Sequence, residues 1–110
     1  EHYALGLPVW LAPTQAIILP VKSEFDFYAK KVKEKLENVS ARVKIDTRNE
    51  TLDKRIREAE VEKIPYILVV GGREAQQDAV AVRKKGTGDL GAMPVDDFIK
   101  RIKEEIDNKK

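Results

Sequence analysis

Apolar residues in this chain follow two rhythms, and the change of rhythm marks out its elements. Ala16-Ile17-Ile18-Leu19, stopped by Pro20, and Tyr66-Ile67-Leu68-Val69-Val70 are nearly continuous apolar runs. Short runs of that kind suit strands buried on both faces. Val43 and Ile45 flank Lys44 and predict a brief second strand. Ala79 to Lys84 alternates as a fourth strand would, and Leu90 to Met93 predicts a short fifth after the turn Gly86-Thr87-Gly88. Between these runs the spacing shifts to threes and fours. Phe25, Tyr28, Ala29, Val32 and Leu36 share one helical face behind a Ser23 cap, with Lys30, Lys31, Lys33, Glu34, Lys35 and Glu37 around the other. Thr51 predicts the cap of a second helix with Leu52, Ile56, Ala59 and Val61 inward, ended ahead of Pro65. A last helix opens at Pro94, with Val95, Phe98, Ile99, Ile102 and Ile106 in one stripe.

The resulting order, β-α-β-α-β then β-turn-β then α, predicts an α/β fold with a parallel sheet, right-handed crossovers and helices on both faces. The link from the third strand to the fourth is too short for a crossover helix, so that pair is expected to be antiparallel. Gly6 and Pro8 break any regular element at the start, so residues 1–8 are expected to be a linker remnant and 9–110 one domain.

Composition narrows the function. The chain has 110 residues, 42% of them apolar, and no apolar run of membrane-spanning length. It contains no cysteine, which removes disulfides and thiolate metal sites, and a cytoplasmic location is expected. His2 is the sole histidine, so zinc or imidazole chemistry is not expected. Lys and Arg total 21 against 19 Asp and Glu, a net charge of +2 although 36% of residues are charged. Such a balance rules out a broad electrostatic grip on duplex nucleic acid, so any such role must rest on local placement. Abundant Lys and Glu beside few amides and one methionine is the composition of a heat-stable protein.

Candidate chemistry gathers where strands end, the usual ligand crevice of open α/β sheets. Lys44-Ile45-Asp46-Thr47-Arg48-Asn49-Glu50 and Tyr66-Ile67-Leu68-Val69-Val70-Gly71-Gly72-Arg73-Glu74 both run from a strand into polar side chains, on what is expected to be one edge of the sheet. Gly71-Gly72 lacks phosphate-loop spacing, and no helix with an obvious cap follows it. The pair lets the backbone turn, and also lets something planar approach it. Arg83 ends the alternating run and shares its face with the small Ala79 and Ala81; it is either surface decoration or a fork of donors for base edges and phosphates. Glu74 accepts hydrogen bonds and Asn49 both donates and accepts, a set that suits unpaired bases. Trp10 is a stacking platform or a core residue. Asp46, Glu50 and Asp53 have neither nucleophile nor metal cluster beside them, so no catalysis is expected, and Asp46 is expected to orient Arg48 or cap the turn.

Several motifs, in order, resemble one family. They are Pro8-Val9-Trp10-Leu11-Ala12-Pro13-Thr14-Gln15, Val43 to Glu50 with its Asp-x-Arg-Asn-Glu, Ile64-Pro65-Tyr66-Ile67-Leu68-Val69-Val70-Gly71, and Val82-Arg83 followed by Gly88-Asp89-Leu90-Gly91. Over residues 7 to 107 the chain resembles the C-terminal anticodon-binding domain of class II aminoacyl-tRNA synthetases, in particular the threonyl group. That resemblance implies a three-layer α/β/α fold with a five-stranded mixed sheet, order 2-1-3-4-5, strand 4 antiparallel. It implies a cytoplasmic, homodimeric parent that joins threonine to its tRNA with ATP, its magnesium and zinc held in a catalytic domain absent here, and no cofactor or membrane for this chain. The partners implied are the anticodon loop of threonine tRNAs and that catalytic domain. Carried over by position, Asn49, Glu74 and Arg83 match residues that read the guanine and uracil of the anticodon, with Arg48, Gly71 and Gly72 around them. Lys63 stands where bacterial members commonly carry Arg, which keeps the charge for a phosphate and loses the fork for a base. Ser40 replaces a common turn glycine, and Thr14 an aliphatic residue. The alternative is a free-standing paralogue serving as a protein-interaction or accessory module, through the stripe of the last helix or Trp10; flavodoxin-like small-ligand binding is a third reading.

Overall fold

The computed structural model of the chain describes residues 11–48, 50–85 and 87–108. The segment 1–8 expected to be a linker remnant, His2, Trp10, Asn49 and Gly86 lie outside the described residues. Five strands form one sheet: β1 (Ala16–Pro20), β2 (Val43–Ile45), β3 (Tyr66–Val70), β4 (Ala79–Lys84) and β5 (Gly88–Pro94), in the order β2-β1-β3-β4-β5. β1 runs parallel to both β2 and β3, and β4 runs antiparallel to β3 and β5, as the strand pattern and the resemblance imply. Helices α1 (Asp26–Glu37), α2 (Leu52–Val61), α3 (Gly72–Gln76) and α4 (Val95–Asp107) complete it.

Alternation along the strands divides the sheet between two cores. Ala16, Ile18, Tyr66, Leu68, Val70, Val80 and Val82 pack beneath α1 (Ala29, Val32, Leu36) and α4 (Val95, Phe98, Ile102). Ile17, Leu19 and Ile67 turn the other way, under Ala59 of α2 and Ile64, with Leu52, Ile56 and Val69 alongside. The two-helix side holds the larger side chains, centred on Tyr66, whose ring meets Phe98 edge-on at 5.0 Å between centroids. The Tyr66 hydroxyl donates to Glu105 and accepts from Arg101 Nε at 3.3 Å, while Lys84 Nζ reaches Glu105 at 3.1 Å. Burial and the neighbouring Glu105 hold the Tyr66 phenol well above its ordinary range.

Several local expectations give way. Ser23 caps nothing: Ser23–Phe25 is a 3₁₀ turn, closed by the Phe25 N–H on the Lys22 carbonyl at 3.0 Å, and α1 starts only at Asp26. Thr51 does cap α2, its hydroxyl accepting from the Lys54 N–H at 3.2 Å. Val61 is 75% exposed, because the helix ends there. Lys63 then takes a left-handed φ of 63°, which lets the Ile64 N–H return to the Ala59 carbonyl and fills the inward place with Ile64. Pro94 both closes β5 and stands as the N-cap of α4, whose first turn starts one residue later at Val95. A helical turn, α3, does follow Gly71-Gly72 directly; its cap comes from Glu74 within the helix, which is why no capping residue ahead of it betrays it.

Candidate nucleic-acid interface

Parallel pairing of β2, β1 and β3 puts their C-terminal ends on one edge, so the segments after Ile45 and Val70 reach the same edge as the sequence predicts. Arg48 there is already engaged. It forks onto Asp46, with Nε at 2.9 Å from Oδ1 and Nη2 at 2.8 Å from Oδ2, and also pairs with Glu58 of α2. The Asp46 carboxylate also accepts the Arg48 N–H at 3.1 Å, so it both orients the side chain and closes the turn. The Arg48 guanidinium, hydrogen-bonded to Asp46, holds that carboxyl below its ordinary range.

Gly71 and Glu74 form the next part of this edge. The Glu74 Oε1 accepts the Gly71 N–H at 2.9 Å and satisfies the first turn of α3. A Cβ on Gly71 would come within 3.3 Å of both that oxygen and Val21 Cγ2, so close approach, with φ at −139°, accounts for glycine here. Gly72 is exposed beside Phe25. Tyr28 lies close by, its hydroxyl donating to the Ala79 carbonyl at 2.7 Å; burial first, then the charges of Asp78 and Glu74, push its phenol up to about 12.

Arg83 does not join this group. It stands opposite Ile67, at the start of β3, with Lys84 opposite Tyr66. Three strand steps, roughly 10 Å, separate its level from Val70, after which Glu74 follows. Arg83 and Lys63, just past α2, therefore occupy the opposite edge, and the candidate readers form two groups instead of a single patch. The antiparallel turn into β4 is the reason: a strand that runs back carries its last residue away from the edge where it began.

Part of the sheet beside the Arg83 level is uncovered. α2 covers β1 and β3 on its side, while the small residues Ala81 and Ala92, paired across β4 and β5, stay half-buried and exposed. Arg83 and Ala81 are half-buried along this uncovered strip, while Ala79 at the start of β4 is buried. At its lower end lies a cleft of about 240 Å³ bounded by Ile64, Ile67, Arg83 and Lys85.

A family model described as an anticodon binding domain matches residues 15–105. The chain belongs to that family. This anticodon-binding domain is 50% identical over 109 residues to a threonine–tRNA ligase of Desulforamulus reducens, and 50% identical over 109 residues to one of Aquifex aeolicus. Each match takes in 99% of the chain but 17% of the relative, so the chain spans about a sixth of these curated relatives. Among solved structures it is similar to the RNA binding domain of threonyl-tRNA synthetase from Cryptosporidium parvum, with a TM-score of 0.86 and 30% identity over 94% of this chain and 26% of that one. Prolyl-tRNA synthetase from the same organism, complexed with halofuginone and AMPPNP, matches at a TM-score of 0.79 and 26% identity, covering 93% of this chain and 23% of that one. The resemblance to the threonyl group read from the motifs is borne out.

Three residues that hold this anticodon-binding domain's edges do so in ways that sequence pattern alone does not show. Arg55 is 4% exposed, and its Nη1 donates to the carbonyls of Pro20 at 2.9 Å and Asp46 at 3.0 Å, tying the ends of β1 and β2 together. Its place one residue before Ile56, on the inward face of α2, was the available signal. Asp89 and Gly91, part of the motif that carried the resemblance, build a bulge in β5. Val82 pairs with Gly91 but Arg83 with Asp89, Gly91 takes a φ of 83°, and Asp89 Oδ1 accepts its N–H at 2.7 Å. Among the described residues no three His, Cys, Asp or Glu side chains gather as a metal site.

Proposed function

We propose that the chain is the tRNA anticodon recognition module of a threonine–tRNA ligase, whose ATP-dependent attachment of threonine takes place in a catalytic domain outside these residues. The Arg83 guanidinium beside the partly uncovered β4–β5 strip, with the Glu74 carboxylate just past the end of β3, carries this reading. The Arg83 level and the end of β3 lie roughly 10 Å apart, about three stacked bases at 3.4 Å each, so side chains at the two levels suit different bases of one splayed loop. Glu74 keeps one oxygen on Gly71 and offers the other to an amino or imino group. Arg83 presents its fork to paired acceptors such as those of guanine. Lys63 meets a phosphate, and Asn49 adds an amide that both donates and accepts. Arg48 acts through its own edge, where its donors are held by Asp46 and Glu58, while Gly71 and Gly72 let a base approach the backbone. The same reading gives the parent its ATP, magnesium and zinc in the catalytic domain, a homodimeric state and a cytoplasmic place.

Filter binding of cognate and anticodon-swapped tRNA tests it. Arg83→Ala is expected to lower discrimination by about 1–3 kcal/mol, while Lys63→Ala weakens both tRNAs evenly and flattens the salt dependence. A swapped tRNA that competes as well as the cognate one defeats the proposal.

A further inference from the structure

The cleft at the lower end of the strip contains a cation that the fold does not use. Lys85 follows β4, and its Nζ is shut off from solvent with no hydrogen-bond partner among the described residues. Its neighbour Lys84 sits on the opposite face, paired with Glu105 at 3.1 Å. Around Lys85 the cleft is lined by Ile64, Ile67, Arg83, Lys84 and Glu60 of α2. Desolvation and the charge of Lys63 both act against its ammonium, lowering its pKa. Arg83 and Lys85 thus line one cleft, and the charge of Lys63 is near enough to act on Lys85. An ammonium ordinarily keeps water or a carboxylate, since burying it alone is costly. The apolar wall strengthens whatever charge interaction forms inside.

We infer that this cleft is a seat for one backbone phosphate of the bound RNA, with the Lys85 ammonium as its inner ligand. The inference rests on the RNA-recognition reading and adds a contact to it that neither the motifs nor the relatives assign. A phosphate fits the chemistry better than a base does. Lysine offers a compact point charge without planar geometry, and the Ile64–Ile67 wall presents no acceptor to a base edge. Seating the sugar–phosphate chain here fixes where the loop enters the strip, so that Arg83 meets a base at a set register.

The test uses Lys85→Met in the full chain, with Lys85→Arg as the charge-keeping control. Removing an unpaired, desolvated ammonium should leave the melting midpoint unchanged or raised. Affinity for cognate and anticodon-swapped tRNA should fall by the same factor, about three- to tenfold near 0.1 M salt, and the plot of log K against log salt should become shallower by about 0.7–0.9. Lys85→Arg should restore the slope. A single neutral methylphosphonate in the anticodon loop should weaken the unaltered chain at one position and leave Lys85→Met unaffected there. An unchanged slope in Lys85→Met, with anticodon preference retained, overturns the phosphate seat, as does a lowered melting midpoint or a loss confined to one base identity. An unaltered chain that binds both tRNAs equally instead defeats anticodon reading, and the slope then still judges the phosphate seat. A chain with no tRNA affinity defeats both.

Discussion

The Glu74 carboxylate is bonded to the backbone N–H of Gly71, three residues earlier, at 2.9 Å. One side chain therefore ends β3, starts α3 and supplies the acceptor proposed to read a base. Structural and recognition roles can be separated by substitution. Glu74→Gln keeps an oxygen for Gly71 and loses the charge, so stability should hold while anticodon discrimination changes. Glu74→Ala should lose both, with a stability cost of about 1 kcal/mol measurable by urea unfolding.

Arg55 offers a sharper stability test. Two strand-end carbonyls depend on its Nη1, and both would be left without that donor in Arg55→Ala. A loss of about 2–4 kcal/mol is expected in denaturant unfolding, from two hydrogen bonds to a charged group. Arg57, exposed on the same helix, should tolerate the same change within about 0.5 kcal/mol.

Acid titration should report on the Asp46–Arg48 pair. The Asp46 carboxyl is held below its ordinary value in the folded chain, chiefly by the Arg48 hydrogen bonds. The unfolded chain therefore binds that proton first as pH falls, and the pair's contribution is complete above about pH 4 and lost as pH drops through the lower folded value. Unfolding midpoints of the unaltered chain and Asp46→Asn should differ at neutral pH and converge in strong acid.

Ser40 adopts a φ of 68° after α1, the left-handed turn that the resemblance associates with glycine. Its N–H reaches the Glu37 carbonyl at 3.0 Å and the Ala41 N–H reaches Leu36 at 3.2 Å, closing the helix. Ser40→Gly should relieve the left-handed cost, net of glycine's extra unfolded-state freedom, and stabilise by up to about 1 kcal/mol, read as a rise of a few degrees in Tm.

How far the sequence could be read follows from the range of each interaction. The five strands and three long helices were legible because their periodicity is local: five consecutive apolar residues at Tyr66–Val70 admit few other structures. Caps and turns were harder. Thr51 declared itself, while Ser23 looked equivalent and instead lies within a 3₁₀ turn. The site was legible as a set of side chains and not as an arrangement. Arg83 shares a motif-level resemblance with Glu74, yet the antiparallel pairing of β3 with β4 sends it to the far edge. Arg55 was illegible because its partners, Pro20 and Asp46, are carbonyls up to 35 residues away.

The Asp89–Gly91 bulge has a consequence for solubility. β5 is the outermost strand of the sheet, and seven residues of unpaired backbone would ordinarily invite another chain to add itself. The kink at Leu90–Gly91, a carboxylate on one side of it and Pro94 at the end break that template into pieces too short to extend. At the other margin β2 has three residues, too few to recruit a neighbour. A sheet proposed to hold RNA on its open face thus offers, among the described residues, little edge at either margin for another chain to extend.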